Sequence, residues 1–269
     1  MPQADLGENQ FVTVDGKRLR YIEAGSGPPI LFQAGLGFGA SSDQFVPTMR
    51  LLADHYRVIS LDRFGWGLSD RPASGYSFEA WTASTLGFMD ALGIERTTLV
   101  GHTLGGWVSA LIAYEYPERV EKLVLANTAG LNTRAPTPAQ DYKVPDREGL
   151  RDELERTFAG AIEITDELVD EQVARSQVAG AAEAYTAILS YVNDPDVRKA
   201  FWLPDRLAKV QAPTLVVWGA DDHIIGPEHG QQAADLLPNG SLVLVERGEH
   251  IPPARKPEEF AAIMQQFMG

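Results

Sequence analysis

The sequence predicts an α/β protein. Its expected frame is a mostly parallel sheet of eight strands with helices on both faces, interrupted by an all-helical insert. Three observations carry this expectation. Short apolar, β-branched runs alternate with segments of helical period through the first 130 residues, and the alternation resumes from residue 212. Between 131 and 205 helical patterns follow one another without a convincing strand. Several strand runs end in glycine-containing loops, as strand-to-helix turns require.

The elements read in order as follows. FVTVDG and RLRYIEAG have the alternation and turn signal of an antiparallel hairpin. PPILFQAG is a buried strand entering a glycine loop, and QFVPTMRLLADH keeps helical spacing despite its proline. YRVISLDR is the fourth strand. FEAWTASTLGFMDALGI is an amphipathic helix closed by Gly93. TTLVGH, LGGWVSALIAYEY and VEKLVLANTAG give strand, helix, strand. REGLRDELERTFAGAIE, DELVDEQVARSQ and AAEAYTAILSYV form the helical insert. APTLVVWGADD, PEHGQQAADLL, GSLVLVERGEH and PEEFAAIMQQFMG complete the alternation. The division is therefore a core of residues 1–130 and 206–269 with an insert of 131–205. The insert leaves after the sixth strand, over the sheet edge where open α/β sheets hold ligands.

Composition narrows the function classes. Hydrophobic residues are 44% and charged residues 22%, ordinary values for a globular chain. A formal net charge of −14 argues against nucleic acid and anionic membranes as partners, because phosphate binding needs a basic patch. No apolar run is long enough to span a bilayer. The N-terminal MPQADLGENQ has neither a basic start nor an apolar stretch, and cysteine is absent. A cytoplasmic location is the expectation. No metal-ligand spacing and no nucleotide loop stand out, so no metal or cofactor is expected. The expected partner is a small-molecule substrate. A homodimer is compatible with the sequence, which fixes no oligomeric state.

The chemistry concentrates in three residues that each follow a predicted strand. Gly101-His102-Thr103-Leu104-Gly105 has the spacing of a nucleophile elbow, with threonine at its centre. Asp222 follows TLVVWGAD, and His250 follows SLVLVERGE. A hydroxyl is a poor nucleophile, so an imidazole must accept its proton, and a carboxylate must hold that imidazole. The spacing from Gly219 selects Asp222 over Asp221, which suits a turn. His250 has the best setting of the five histidines. The oxyanion donors expected are the N–H of Leu104, at a helix start, and the N–H of Leu36, in the loop Ala34–Gly39. Gly35, Gly37, His102, Trp107 and Ile251 are candidate substrate contacts. For His102 a buried polar niche is the competing reading. For Trp107, as for Trp66, it is core packing. Asp62-Arg63 and Ser69-Asp70 read as a structural loop.

With FQAGLGFGA, LDRFGWGLSD, VGHTLGGW, YPERVEKLVLANTAG, WGADDHIIGP and RGEHIPPARKPEEF in order, the chain resembles the α/β-hydrolase superfamily over nearly its whole length. The insert then corresponds to that family's helical cap. The resemblance is to the capped carbon–carbon bond hydrolases of ring meta-cleavage products and their esterase relatives. It implies Thr103, His250 and Asp222 as the triad and a small apolar ester, lactone or vinylogous diketone as substrate. Three positions depart from that branch: Ala34 stands where histidine is usual, His102 where asparagine is frequent, and Ile251 where tryptophan is frequent.

Thr103 is the major departure, because an elbow residue has positive φ and a β-branched side chain is strained there. Three readings stay open: a slower nucleophile, a hydroxyl that only binds substrate while His250 does acid–base work in a lyase, cyclase or oxygenase, and an engineered replacement of serine. A ligand receptor without turnover is the non-enzymatic alternative. The absence of an elbow aspartate argues against epoxide and haloalkane hydrolysis.

Overall fold

Alternating apolar side chains along the central strands build two cores, one on each face of a single sheet. A computed structural model describes residues 8–37, 40–132 and 144–269. Phe38 and Gly39 of the glycine loop and residues 133–143 of the predicted insert lie outside the described residues. The strands are β1 (Gln10–Val14), β2 (Lys17–Ala24), β3 (Pro29–Gln33), β4 (Arg57–Leu61), β5 (Thr97–His102), β6 (Val120–Ala126), β7 (Thr214–Gly219) and β8 (Gly240–Val245). Their order is β1-β2-β4-β3-β5-β6-β7-β8. The β1–β2 and β2–β4 pairs are antiparallel, and all other pairs are parallel. The eight-stranded, mostly parallel sheet read from the sequence is the sheet observed.

The period of two decides which core each side chain joins. Leu31, Leu99, Leu123, Leu125, Val216 and Trp218 face one way, beneath α2 (Phe78–Ala91), α3 (Leu104–Glu115) and α9 (Pro227–Leu236). Phe32, Val100, Val124, Ala126, Leu215 and Val217 face the other way, beneath α1 (Val46–Leu52) and α11 (Pro257–Met268). Every residue of β5 is buried, which is why this strand reads as a continuous rather than an alternating run. Each fully buried leucine contributes roughly 1.5–3 kcal/mol of transfer free energy. Pro47 sits in the first turn of α1, where a missing N–H costs nothing, so the proline starts this helix instead of breaking it.

Between β6 and β7 the regular elements among the described residues are all helices: α4 (Arg147–Phe158), α5 (Asp166–Ser176), α6 (Ala181–Asn193), α7 (Pro195–Ala200) and α8 (Pro204–Leu207). Caps fix where α4 and α5 start. Asp146 accepts from the Gly149 N–H at 2.9 Å, and Thr165 accepts from the Leu168 N–H at 3.2 Å. Helix α6 is tied to the core by Ile188, fully buried, and by Tyr191, whose hydroxyl accepts from the Phe78 N–H at 3.1 Å.

Candidate active site

Because β3, β5, β7 and β8 run parallel, their C-terminal ends share one edge of the sheet. The glycine loop follows β3, Thr103 follows β5, Asp222 follows β7, and His250 follows β8 ahead of α10 (Pro252–Arg255).

Thr103 is the turn between β5 and α3, with φ 44° and ψ −109°. Left-handed backbone at a β-branched residue stores on the order of 1–3 kcal/mol, and the surroundings hold it there. Its N–H donates to Ala126 O at 3.1 Å, and its carbonyl accepts from the N–H groups of Trp107 at 3.0 Å and Ala129 at 3.1 Å. The glycines of the motif permit the approach: a Cβ on Gly105 would stand 2.1 Å from the Gln33 carbonyl oxygen. Leu104 begins α3, so its N–H has no carbonyl four residues back to bond.

His250 Nδ1 lies 2.8 Å from Asp222 Oδ2, and the Asp222 side chain is fully buried. Asn127 Nδ2 donates to the same oxygen at 2.6 Å, while the N–H groups of Ile224 and Ile225 donate to Oδ1 at 2.7 and 3.0 Å. Burial by itself would raise the Asp222 carboxyl. The His250 ring, Asn127 and the Ile225 N–H outweigh it and hold the group below its ordinary value. Asp221 faces away and accepts from the Glu249 N–H at 2.9 Å.

His102 is committed to the protein at both ring nitrogens. Nε2 lies 2.7 Å from the His250 carbonyl oxygen, and Nδ1 lies 3.2 Å from Gln44 Nε2. A carbonyl only accepts, so the proton sits on Nε2 and Nδ1 accepts from the Gln44 amide. Burial first, then the neighbouring His250, push the His102 imidazolium down to about 3. His102 therefore stays neutral near neutral pH and anchors the His250 main chain.

Above these residues lies a cavity of about 510 Å³. Gly35, Leu36, Gly37, His102, Thr103, His250 and Ile251 border it, with Phe158 and Leu168 reaching in from α4 and α5. Trp107 does not border it, contrary to the expected substrate contact. The indole is buried under Phe78, and its Nε1 donates to Phe201 O at 2.8 Å. The Trp107 side chain packs among Phe78, Arg198 and Phe201, a choice of helix face that the motif spacing does not encode. Asn127 and Gln44 are the further polar partners. Asn127 directly follows β6, the strand next to β7, and that position was a usable signal. Gln44 meets His102 across 58 positions of chain and gave none. No hydrogen bond joins the Thr103 hydroxyl to the His250 ring among the described residues.

Fold and site together define a hydrolase built on an α/β sheet. The chain belongs to the alpha/beta hydrolase family, whose model matches residues 34–263. It is 32% identical to a 2-hydroxy-6-oxononadienedioate/2-hydroxy-6-oxononatrienedioate hydrolase of Paraburkholderia phymatum, over 94% of this chain and 91% of the relative. A 2-hydroxy-6-oxo-6-(2'-aminophenyl)hexa-2,4-dienoic acid hydrolase of Metapseudomonas resinovorans is 27% identical over 97% of this chain and 90% of its own. Among solved structures, a serine hydrolase involved in carbazole degradation superposes with a TM-score of 0.82 at 27% identity, covering 97% of this chain and 98% of that one. The resemblance to the carbon–carbon bond branch stands on these relatives.

Proposed function

We propose that the protein hydrolyses a small, uncharged, largely apolar ester, lactone or vinylogous diketone through acyl transfer to Thr103. The observation that carries this reading is the 2.8 Å contact between His250 and a buried, fully hydrogen-bonded Asp222, beside a strained hydroxyl residue at a helix start. In the proposed step the Thr103 hydroxyl oxygen attacks the substrate carbonyl carbon, and its proton passes to His250 Nε2. The carbonyl π pair becomes an oxyanion that accepts from the Leu36 and Leu104 N–H groups. His250 Nδ1–H donates to Asp222 and keeps the imidazolium oriented. Collapse breaks the bond to the leaving alkoxide or carbon, which takes the proton from His250 Nε2. Water, deprotonated by His250, then releases the acid and restores Thr103. The helices of residues 144–205 serve as a cap that closes the cavity.

The cavity wall supports an uncharged substrate. Asp43, Glu153, Glu163 and Glu171 border it together with Arg50 and Arg175, and Arg20 pairs with Asp43 from behind the wall, which leaves a formal surplus of one negative charge. Arg175 is already engaged, at 2.6 Å from Asp43 and 3.3 Å from Glu171. The dioate named for the Paraburkholderia relative is a dicarboxylate, the charge type that such a wall disfavours.

One observation favours a second reading: the Thr103 hydroxyl is not hydrogen-bonded to His250 among the described residues. His250 and Asp222 would then run acid–base chemistry on a substrate that Thr103 only binds. One experiment separates the two. Intact-mass analysis after treatment with a fluorophosphonate is expected to show one adduct on Thr103. Thr103→Ala is expected to remove both the adduct and turnover of p-nitrophenyl butyrate. A Thr103→Ala protein that keeps most of its activity while His250→Ala loses it would refute covalent catalysis and leave the second reading.

A further inference from the structure

The chain buries a cation behind the glycine loop. Arg63 follows β4, is 4% exposed, and forms no ion pair among the described residues. Its Nε and Nη1 have no hydrogen-bond partner there either. Among the described residues the one hydrogen bond its side chain makes runs from Nη2 to the carbonyl oxygen of Gly35, at 3.3 Å, while its guanidinium carbon stands 4.9 Å from the Trp66 ring centre. Trp66 continues the same brace, with Nε1 donating to Leu36 O at 3.4 Å. Both grips are on successive peptides of the loop, and Ala34 contributes no side-chain donor of its own. Burying a guanidinium with one hydrogen bond is costly even with the Asp62 charge nearby and the Trp66 ring beside it, and an apolar side chain of similar length would fill the space without that cost.

We propose that Arg63 is a positioning residue of the oxyanion hole, holding the Gly35 carbonyl from behind so that the N–H of Leu36 faces the cavity. This rests on the hydrolytic reading above, in which that N–H receives the oxyanion. Gly35 O and Leu36 N belong to one peptide unit. The described chain contains no cis peptide, so the two groups point in opposite directions from a shared plane. Gly35 and Leu36 border the cavity and Arg63 does not, so a carbonyl drawn toward Arg63 turns the N–H toward the substrate side. The charge adds to the geometry. A cation at the carbonyl end polarises the peptide and strengthens its N–H as a donor, in a setting that excludes water. Burial draws the Arg63 guanidinium down to about 9, which leaves it charged near neutral pH.

The test compares Arg63→Met and Arg63→Lys with the wild type. The readouts are hydrolysis of p-nitrophenyl butyrate, labelling of Thr103 by a fluorophosphonate, and inhibition by an alkyl trifluoromethyl ketone, which forms a tetrahedral oxyanion. The neutral alkyl amide of matching length serves as a ground-state ligand. Loss of a whole oxyanion donor costs about 10²–10³ in kcat, so loss of its positioning group is expected to lower kcat by roughly 10–100-fold. KM and amide binding should stay within about threefold, and ketone inhibition should weaken in step with kcat/KM. Arg63→Lys should recover part of the loss. If Arg63→Met keeps kcat within twofold, or loses amide and ketone binding equally, the role is refuted. Should neither variant fold, the Leu36 amide proton of the wild type decides. It is expected to move downfield on ketone binding, and an unmoved resonance overturns the proposal. Wild type that is not labelled at Thr103 brings down the hydrolytic reading and the Arg63 role together. Wild type and Arg63→Met labelled at equal rates bring down the Arg63 role alone.

Discussion

The threonine methyl makes position 103 a packing problem as well as a chemical one. A Cβ added at Gly35 would stand 2.2 Å from Thr103 Cγ2 and 2.9 Å from His102 Nδ1. Gly35→Ala is therefore expected to displace the loop and lower kcat/KM by about 100-fold. In a Thr103→Ser background the first of those collisions is gone, so the same substitution should cost less. A double-mutant cycle on kcat/KM is expected to give a coupling of about 1 kcal/mol or more, and additive effects would contradict the contact. His102 sets a second expectation at this scale. Its folded-state value, about 3, lies below its unfolded value near 6.5, so the unfolded chain binds the extra proton between them. The stability from neutral His102 is present above pH 6.5 and declines as pH falls toward 3. Urea unfolding should lose about 2 kcal/mol more between pH 7 and pH 5 in the wild type than in His102→Asn. Equal losses in the two proteins would show that His102 is not held neutral.

At the scale of elements, α5 is fastened to the segment before α1 through Asp43. Arg175 approaches Asp43 at 2.6 Å, and Arg20 of β2 approaches the same carboxylate at 2.8 Å. Burial pushes the Asp43 carboxyl up, but Arg175 and then Arg20 outweigh it and hold the group below the usual carboxylate value. Both Arg175 and Asp43 are partly exposed, so removing the pair sits between the surface and the buried case. Arg175→Met is expected to destabilise the protein by about 1–3 kcal/mol in denaturant titrations. Hydrogen exchange should speed up in α5 and remain slow in β5, whose every residue is buried. Exchange that rises equally in both elements would mean that α5 has no local attachment of its own.

Across the whole molecule, a net charge of −14 and the acidic cavity wall act in the same direction on an approaching ligand. p-Nitrophenyl butyrate should be hydrolysed with a kcat/KM about tenfold or more above that of p-nitrophenyl hydrogen succinate at low ionic strength. Salt at 0.5 M, an added condition with a Debye length of roughly 4–5 Å, should narrow the gap by raising the rate for the anion. A preference for the anionic ester would overturn the charge argument for the substrate.

The strands, their order of appearance and the helical stretch between β6 and β7 were legible in the sequence. Period-two burial and strand–helix alternation are local properties of the chain. The elbow was legible too, because glycines at 101 and 105 are what a strand needs to turn sharply into a helix that packs back on it. The hydrogen-bond partners of His102, Gln44 and Arg63 were not legible, and of Asn127 only its place at a strand end was. Each depends on a partner brought close by the order β3-β5-β6-β7-β8, and that order is a consequence of parallel pairing, not of nearness along the chain. The sequence alone thus determined which chemical groups stand at the ends of the strands. Only the tertiary structure decided which of those groups meet, since hydrogen bonds such as His102 to His250 O form between segments that share no local signal.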